Sequence, residues 1–354
     1  MSKTLKYARN GVVVGSLGFL VANLIKQLNR IEEKPDLKFD WEEFLIAGGK
    51  GALIGGGIGM ISGGITDMNN SHQVPLHTSS ILKVAIFNLT LKKQDFSYKW
   101  LSSKAIKIEE FIFSNFNQKL GGAIVRIGST EENTALADDF DIDLCVPFAP
   151  FSFSSTESMY NELYYSIKAN FKDYDLIKIR PQKKSIGLIF DLEGGNYKID
   201  VVPFKLTAKK GNNSSGYLHI NNNSLIKSDS YTKTDIVRLK GTKLSPTQQK
   251  IHVAIKNWKR KFNVPLSSHL AKHLIIETYK LNQGSIPSDF TKKLIMVIRH
   301  INDQILFTRI VSSENTNNVL TKIDEDKKEQ IQILCNDILE DYEYQPNSIL
   351  KYFA

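Results

Sequence analysis

The chain has 354 residues, of which 42% are hydrophobic and 23% charged, and it carries a formal net charge of +9. That length gives room for about two domains with a sizeable core, and that balance is globular, which excludes a disordered or fibrous chain. The positive charge suits a polyanionic ligand, nucleotide or nucleic acid, and equally an anionic membrane surface. The two cysteines, Cys145 and Cys335, form no zinc pattern and read as reduced buried thiols. No internal repeat and no cleavable signal peptide is evident.

The first seventy residues differ from the rest. Residues 11–25 carry no charge, and the apolar character continues toward Leu28. A polar, acidic connection follows at 29–43, and residues 44–66 are then glycine-dense and apolar, interrupted only by Lys50. Each apolar segment, at roughly twenty residues, is long enough to cross a bilayer. The glycines would let two helix backbones approach closely there. A lysine near mid-bilayer is costly, however, and a soluble hairpin packed on the rest of the chain or on another subunit fits the same pattern. Residues 1–70 therefore read as an apolar, glycine-rich helical hairpin that meets either a membrane or a partner.

Residues 69–78, with Pro75, read as a polar linker. Helices are expected over 80–91 and 97–120, the second with Ile106, Ile108, Phe111, Ile112 and Phe116 near helical spacing as core. An apolar strand at 123–127 then runs into the stretch GSTEENTALADDFDID, residues 128–143. Beyond it, alternation puts Asp141 and Asp143 on one strand face and Ile142, Leu144 and Val146 on the other. Two carboxylates on one strand face repel each other unless a cation lies between them. Magnesium is the usual answer, because it prefers hard oxygen ligands. The Gly128-Ser129 turn offers backbone N–H groups and a hydroxyl to a polyphosphate.

After a connection at 147–155, a helix is expected at 158–171 and strands at 176–180 and 185–192, with Lys183 and Lys184 as solvated turn residues. A turn at Gly194-Gly195 leads into YKIDVVP, residues 197–203. Asp200 is a lone carboxylate inside that apolar strand, where an uncompensated charge is expensive. Three carboxylates on neighbouring strands can hold two magnesium ions, the arrangement that clamps an in-line phosphoryl displacement. Residues 209–229 read as a polar loop with Tyr217 as a candidate stacking ring, and 315–318 as a second loop. Ser245-Pro246 starts a helix that runs to 262, and helices at 292–311 and 324–342 complete a helical region. His269 and His273 share a helix face but have no third ligand at matching spacing, so they read as structural or solvent-facing.

A Gly-Ser turn, Asp-X-Asp twelve residues on and a distal Asp followed by Val-Val-Pro resemble the polymerase-beta-type nucleotidyltransferase superfamily. More narrowly, they resemble the bacterial cGAS/DncV-like nucleotidyltransferases (CD-NTases), relatives of the oligoadenylate synthases. The segment IKNWKRKFNVPLSSHLAKHLIIETY, residues 255–279, resembles the helical half of the same family. The resemblance covers roughly residues 75–354. It implies an α/β fold: a catalytic domain at 75–240 with a mixed sheet backed by helices, and a helical nucleotide-binding domain at 241–354.

The resemblance further implies a nucleoside triphosphate substrate and two Mg2+ ions, with Mn2+ as a substitute. Asp141 and Asp143 would hold both ions, and Asp200 would join them at the catalytic ion and help deprotonate the acceptor. Gly128, Ser129, Lys256 and Ser267, with Ser268 as the close alternative to Ser267, would hold the phosphates. The implied product is a cyclic or linear oligonucleotide, of ribo- or deoxynucleotides, that signals in antiphage defence. A toxin-like enzyme acting on RNA or protein and a non-enzymatic nucleotide sensor are the alternatives. The implied location is the cytoplasm, with residues 1–70 reaching an effector protein or the inner face of the membrane. Three features depart from the family: Asn133-Thr134 stands in place of Gly-Thr, Glu131-Glu132 lies near the phosphate turn, and Asp139 shares the parity of the Asp141/Asp143 pair.

Overall fold

The computed structural model describes residues 75–207, 215–221, 230–235, 243–307, 309–312 and 319–354. The expected hairpin at 1–70 and the loop at 315–318 lie outside these residues. Among the described residues, no helix is long and apolar enough to cross a membrane.

Helix α1 (Pro75–Leu89) begins five residues earlier than the pattern suggested. The proline read as a linker residue instead opens the helix, where its fixed φ is suited and its missing N–H costs nothing. Helix α2 (Phe96–Phe116) buries Leu101, Ala105, Ile108, Ile112 and Phe116 as one stripe. Ile106, expected in the core, falls outside that stripe and is exposed. Lys104 is buried on the same helix and donates to Asp173 at 2.7 Å and Asp175 at 2.5 Å.

Strands β1 (Val125–Ile127), β2 (Asp141–Phe148), β3 (Leu176–Pro181), β4 (Ile186–Leu192) and β5 (Gly195–Leu206) form a sheet of order β1-β2-β5-β4-β3. Only β2 and β5 are parallel. Parallel neighbours need a crossover, here provided by helix α3 (Thr156–Asn170) with β3 and β4. The hairpin from β4 to β5 turns at Glu193 and Gly194, both with positive φ, one residue earlier than the expected Gly194-Gly195. Two left-handed residues match the twist of a two-residue hairpin. The other edge of β5 is taken by β4 up to Val201 and by β6 (Ser215–Ile220) from Phe204 onward. Strand β6 lies within the span expected to be loop, and it pairs in turn with β7 (Ser230–Asp235).

The C-terminal part is helical: α4 (Pro246–Lys261), α5 (Ser268–Leu281), α6 (Phe290–Gln304), α7 (Glu325–Tyr344) and α8 (Ile349–Phe353). Helix α4 opens with a capping box between Ser245 and Gln248, with Pro246 in its first turn. Among the described residues, two large hydrophobic cores result. Ile142, Leu144, Val146, Ile199 and Val201 face α2 and α3 in the first. The second gathers α4 to α8 and also takes Leu82 and Ile86 of α1. Trp258 is fully buried at the centre of this helical core, 6.1 Å from the ring of Phe353. Trp258→Ala should therefore cost about 3–5 kcal/mol, read as a lower urea midpoint at an unchanged slope.

Candidate active site

The inner-facing alternation on β2 and β5 leaves the opposite sheet face to Asp141, Asp143 and Asp200. In the parallel ladder, Asp143 pairs directly with Asp200 and Asp141 with Lys198. On its other side Asp143 pairs with Ile127 of β1, so the chain leaves β1 next to the Asp143 carboxylate. One oxygen from each of Asp141, Asp143 and Asp200 falls within 4.8 Å of the others. Further along the same face Cys145, Phe204 and Leu206 form a small apolar cluster below the acids. Cys145 and Cys335 are both buried, and burial raises the Cys335 thiol.

The electrostatics follow from this crowding. Burial pushes Asp143 up from its ordinary 3.8 to about 8, with the charges of Asp141 and Asp200 adding to the shift and Lys256 opposing it. Asp200 is raised by burial and then by Asp141. Gln182, in the turn after β3, donates from Nε2 to Asp200 Oδ1 at 3.1 Å. A carboxyl such as Asp143, which holds its proton at neutral pH because it is desolvated and crowded by other acids, is poised to release it to a cation.

Gly128 has a φ of +82, and a Cβ built on it would lie 2.0 Å from Asp143 Oδ2. Only glycine allows the turn to pass so close. The segment after it coils back, with Glu132 N–H donating to Gly128 O at 3.1 Å and Thr134 N–H to Ser129 O at 2.9 Å. Lys256 reaches out of α4 and donates to Thr134 O at 3.0 Å. Burial lowers the proton affinity of Lys256, while Asp141 and Asp139 counter it. A solvated helix face would not produce that environment.

Glu132, which departs from the family pattern, pairs with the buried Lys272 at 2.7 Å, and Glu131 pairs with Lys93 at 3.5 Å. Arg260 of α4 pairs with Asp138 at 2.6 Å. The helical part is thus tied to the 128–139 segment at three points: Lys256, Arg260 and Lys272. Asp139 lies in a tight turn ahead of β2, bridged to Leu136, and is not one of the three converging acids.

A cavity of about 300 Å³ opens here, lined by Ser129, Asp139, Asp141 and Lys256 and by Asn196, Tyr197 and Lys198 from the start of β5. The contribution of the hairpin at Asn196–Lys198 had no signal in the sequence, because it depends on strand register. Ser267 and Ser268 are not part of this lining. Ser267 Oγ instead caps α5, accepting from Leu270 N–H at 3.1 Å. Ser268 Oγ accepts from Lys259 at 3.4 Å, and Ser268 O meets His252 Nε2 at 2.9 Å. Tyr217 packs edge-on against Tyr231, ring centres 5.2 Å apart, away from the cavity. The rings of His269 and His273 contact each other at 4.8 Å, and His269 also reaches Ser312.

No protein-family model and no curated protein matches the sequence. Solved structures do match the fold. The E. coli MS115-1 CdnC, in its complex with HORMA-deltaN, superposes with a TM-score of 0.57 at 16% identity, over 79% of this chain and 95% of that one. The same CdnC with ATP gives 0.56 at 19% identity, over 77% and 94%. The CD-NTase CdnG of Bradyrhizobium diazoefficiens, in complex with GTP, gives 0.58 at 12% identity, over 78% and 94%. The match runs across nearly the whole length of those chains and takes in both the mixed sheet and the helical half, and this chain therefore has the CD-NTase fold.

Proposed function

We propose that this protein is a metal-dependent nucleotidyltransferase that moves NMP or dNMP from a nucleoside triphosphate to a nucleotide hydroxyl. The observation that carries the reading is the meeting of three acids from adjacent parallel strands beside a glycine turn and a half-buried lysine. The donor set fits a hard divalent ion: all three ligands are carboxylates, and their oxygens crowd within 4.8 Å of one another. Asp141, Asp143 and Asp200 would hold two Mg2+ ions or Mn2+. When bound, such ions stabilise the charge that develops on phosphoryl oxygens.

The chain's own residues do the rest. Ser129 and the backbone after Gly128 seat the phosphates, and Lys256 places a cation against the leaving pyrophosphate. Its tie to Thr134 O holds the ammonium at the turn before substrate arrives. Asp200, whose proton affinity is raised, accepts the proton of the acceptor hydroxyl. The acceptor oxygen bonds to the α-phosphorus, the bond to the bridging oxygen breaks, and pyrophosphate departs with the electron pair. The ATP and GTP bound to the fold's solved relatives support a nucleoside triphosphate as donor. The likeness to CD-NTases supports a cyclic or linear oligonucleotide product, a signal in antiphage defence made in the cytoplasm.

Product analysis tests this. The full chain is incubated with Mg2+ or Mn2+ and each labelled NTP and dNTP, and the mixture is resolved by chromatography and mass spectrometry. The expected result is a discrete cyclic species or an oligomer ladder that disappears in Asp141→Ala. Nucleotide bound equally by both proteins, with no product from either, would sink the enzyme reading and favour a sensor.

A further inference from the structure

The turn between β3 and β4 contains a device that none of these steps uses. Asp200 on β5 faces Gly187 on β4 in the antiparallel ladder. A Cβ at position 187 would lie 2.3 Å from Gln182 Nε2 and 3.3 Å from Asp200 Oδ1. Glycine at 187 therefore leaves open the slot through which Gln182 reaches across β4 to the carboxylate. The amide is itself oriented: the buried Ser185 donates from Oγ to Gln182 Oε1 at 2.6 Å, which turns Nε2 toward Asp200.

The turn is pinned from below. The fully buried Tyr160 of α3 presents its hydroxyl to Ser185 O at 2.8 Å and Gln182 O at 3.1 Å, and it accepts from Gln182 N–H at 3.0 Å. Gln182 N–H also donates to Ser185 O at 2.9 Å. A solvent-facing glutamine needs no such support.

We propose that Gln182 is a positioning residue, braced by Ser185 and Tyr160, that holds the Asp200 carboxylate in the orientation needed to share a divalent cation with Asp141 and Asp143. The assignment rests on the metal-dependent reading above. A neutral donor suits the task better than a lysine or arginine would. It fixes one carboxylate oxygen while leaving the negative charge for the cation and the second oxygen unengaged. Outer partners that orient a ligand in this way typically govern metal affinity over about 10–100-fold.

The test is Mn2+ binding, followed by the loss of the free-ion EPR signal, on the full chain without nucleotide. Gln182→Met keeps the length of the side chain and loses the donor. Ser185→Ala keeps Gln182 and loses its brace. We expect Mn2+ affinity to fall at least about 10-fold in Gln182→Met and by a smaller factor in Ser185→Ala. A purely structural glutamine would move Tm and leave the Mn2+ titration alone. Wild-type affinity in Gln182→Met overturns the assignment while leaving the metal site standing. Absence of Mn2+ binding by the wild-type chain itself would overturn the metal reading and this assignment together.

Discussion

Asp143→Asn should abolish nucleotidyl transfer and at the same time make the metal-free protein more stable. The two effects have one cause. Asp143 stands between β1 and β5 in the ladder, within 4.8 Å of two other acids, and burial with their charges lifts it from 3.8 to about 8. The folded state therefore binds a proton that the unfolded chain releases above pH 3.8. Where the native state holds more protons, stability falls as pH rises. The penalty is absent below about pH 4, grows with pH, and reaches its full size above about pH 8. Near neutrality it is on the order of a few kcal/mol, since a tenfold change in proton affinity is worth about 1.4 kcal/mol.

An asparagine carries none of this penalty, so the variant's Tm in EDTA should exceed that of the wild type by a margin that widens from about pH 4 to about pH 8. Added Mg2+ should reverse the order. The wild type gains stability by exchanging the proton for the ion, and the variant gains little. Loss of a ligand to an ion that contributes several kcal/mol to the transition state should lower turnover by about 10³-fold or more. Paired thermal melts across that pH range, with EDTA and with Mg2+, measure the first effect, and product formation measures the second. A variant that melts with the wild type at the alkaline end of the range would show that the acids are not in conflict. A variant that still turns over nucleotide would remove Asp143 from the reaction.

How much of this could be read from the sequence depends on the range of the interaction. The Asp141/Asp143 face was legible because alternation on a strand is local, and Ile142, Leu144 and Val146 mark the core side. The same holds for the start of α4, where Ser245, Pro246 and Gln248 spell out the cap. Strand β6 was not legible, because its few apolar residues stand among asparagines and serines and it forms only by adding to the free edge of β5. Lys256 shows the limit most clearly. By pattern alone it belongs to a basic helix face; the family likeness pointed it at phosphate, and the fold sets it half-buried beside Asp141 at the cavity. Ser267 illustrates the converse. The likeness to the family pointed it at phosphate, a role the sequence pattern alone did not suggest, and in the structure its hydroxyl caps α5. Gln182 left no trace in the sequence, since its meeting with Asp200 depends on Gly187 facing that residue across two strands.

Gly128→Ala should be the most damaging substitution that leaves every charged group in place. Two costs coincide at this position, and a second glycine separates them. The first is backbone strain: at φ +82 a side chain is disfavoured, by about 1–2 kcal/mol. The second is collision, because the new methyl would lie 2.0 Å from Asp143 Oδ2 and the carboxylate must swing away. Gly194 has nearly the same φ, +81, but open space around its missing Cβ. Gly194→Ala should therefore carry the first cost alone and keep its turnover. Gly128→Ala should lose more stability than that and about 10²-fold in turnover, the usual result of displacing a reacting group by about 1 Å. Mn2+ binding should weaken in Gly128→Ala alone. Urea denaturation, product formation and Mn2+ titration on the two variants decide the matter. Equal turnover in the pair would show that the closeness of Gly128 to Asp143 serves only the path of the chain. Loss confined to Gly128→Ala would show that the turn and the acid work as a unit, the glycine leaving the carboxylate free to meet its ion while the backbone beside it meets the phosphates.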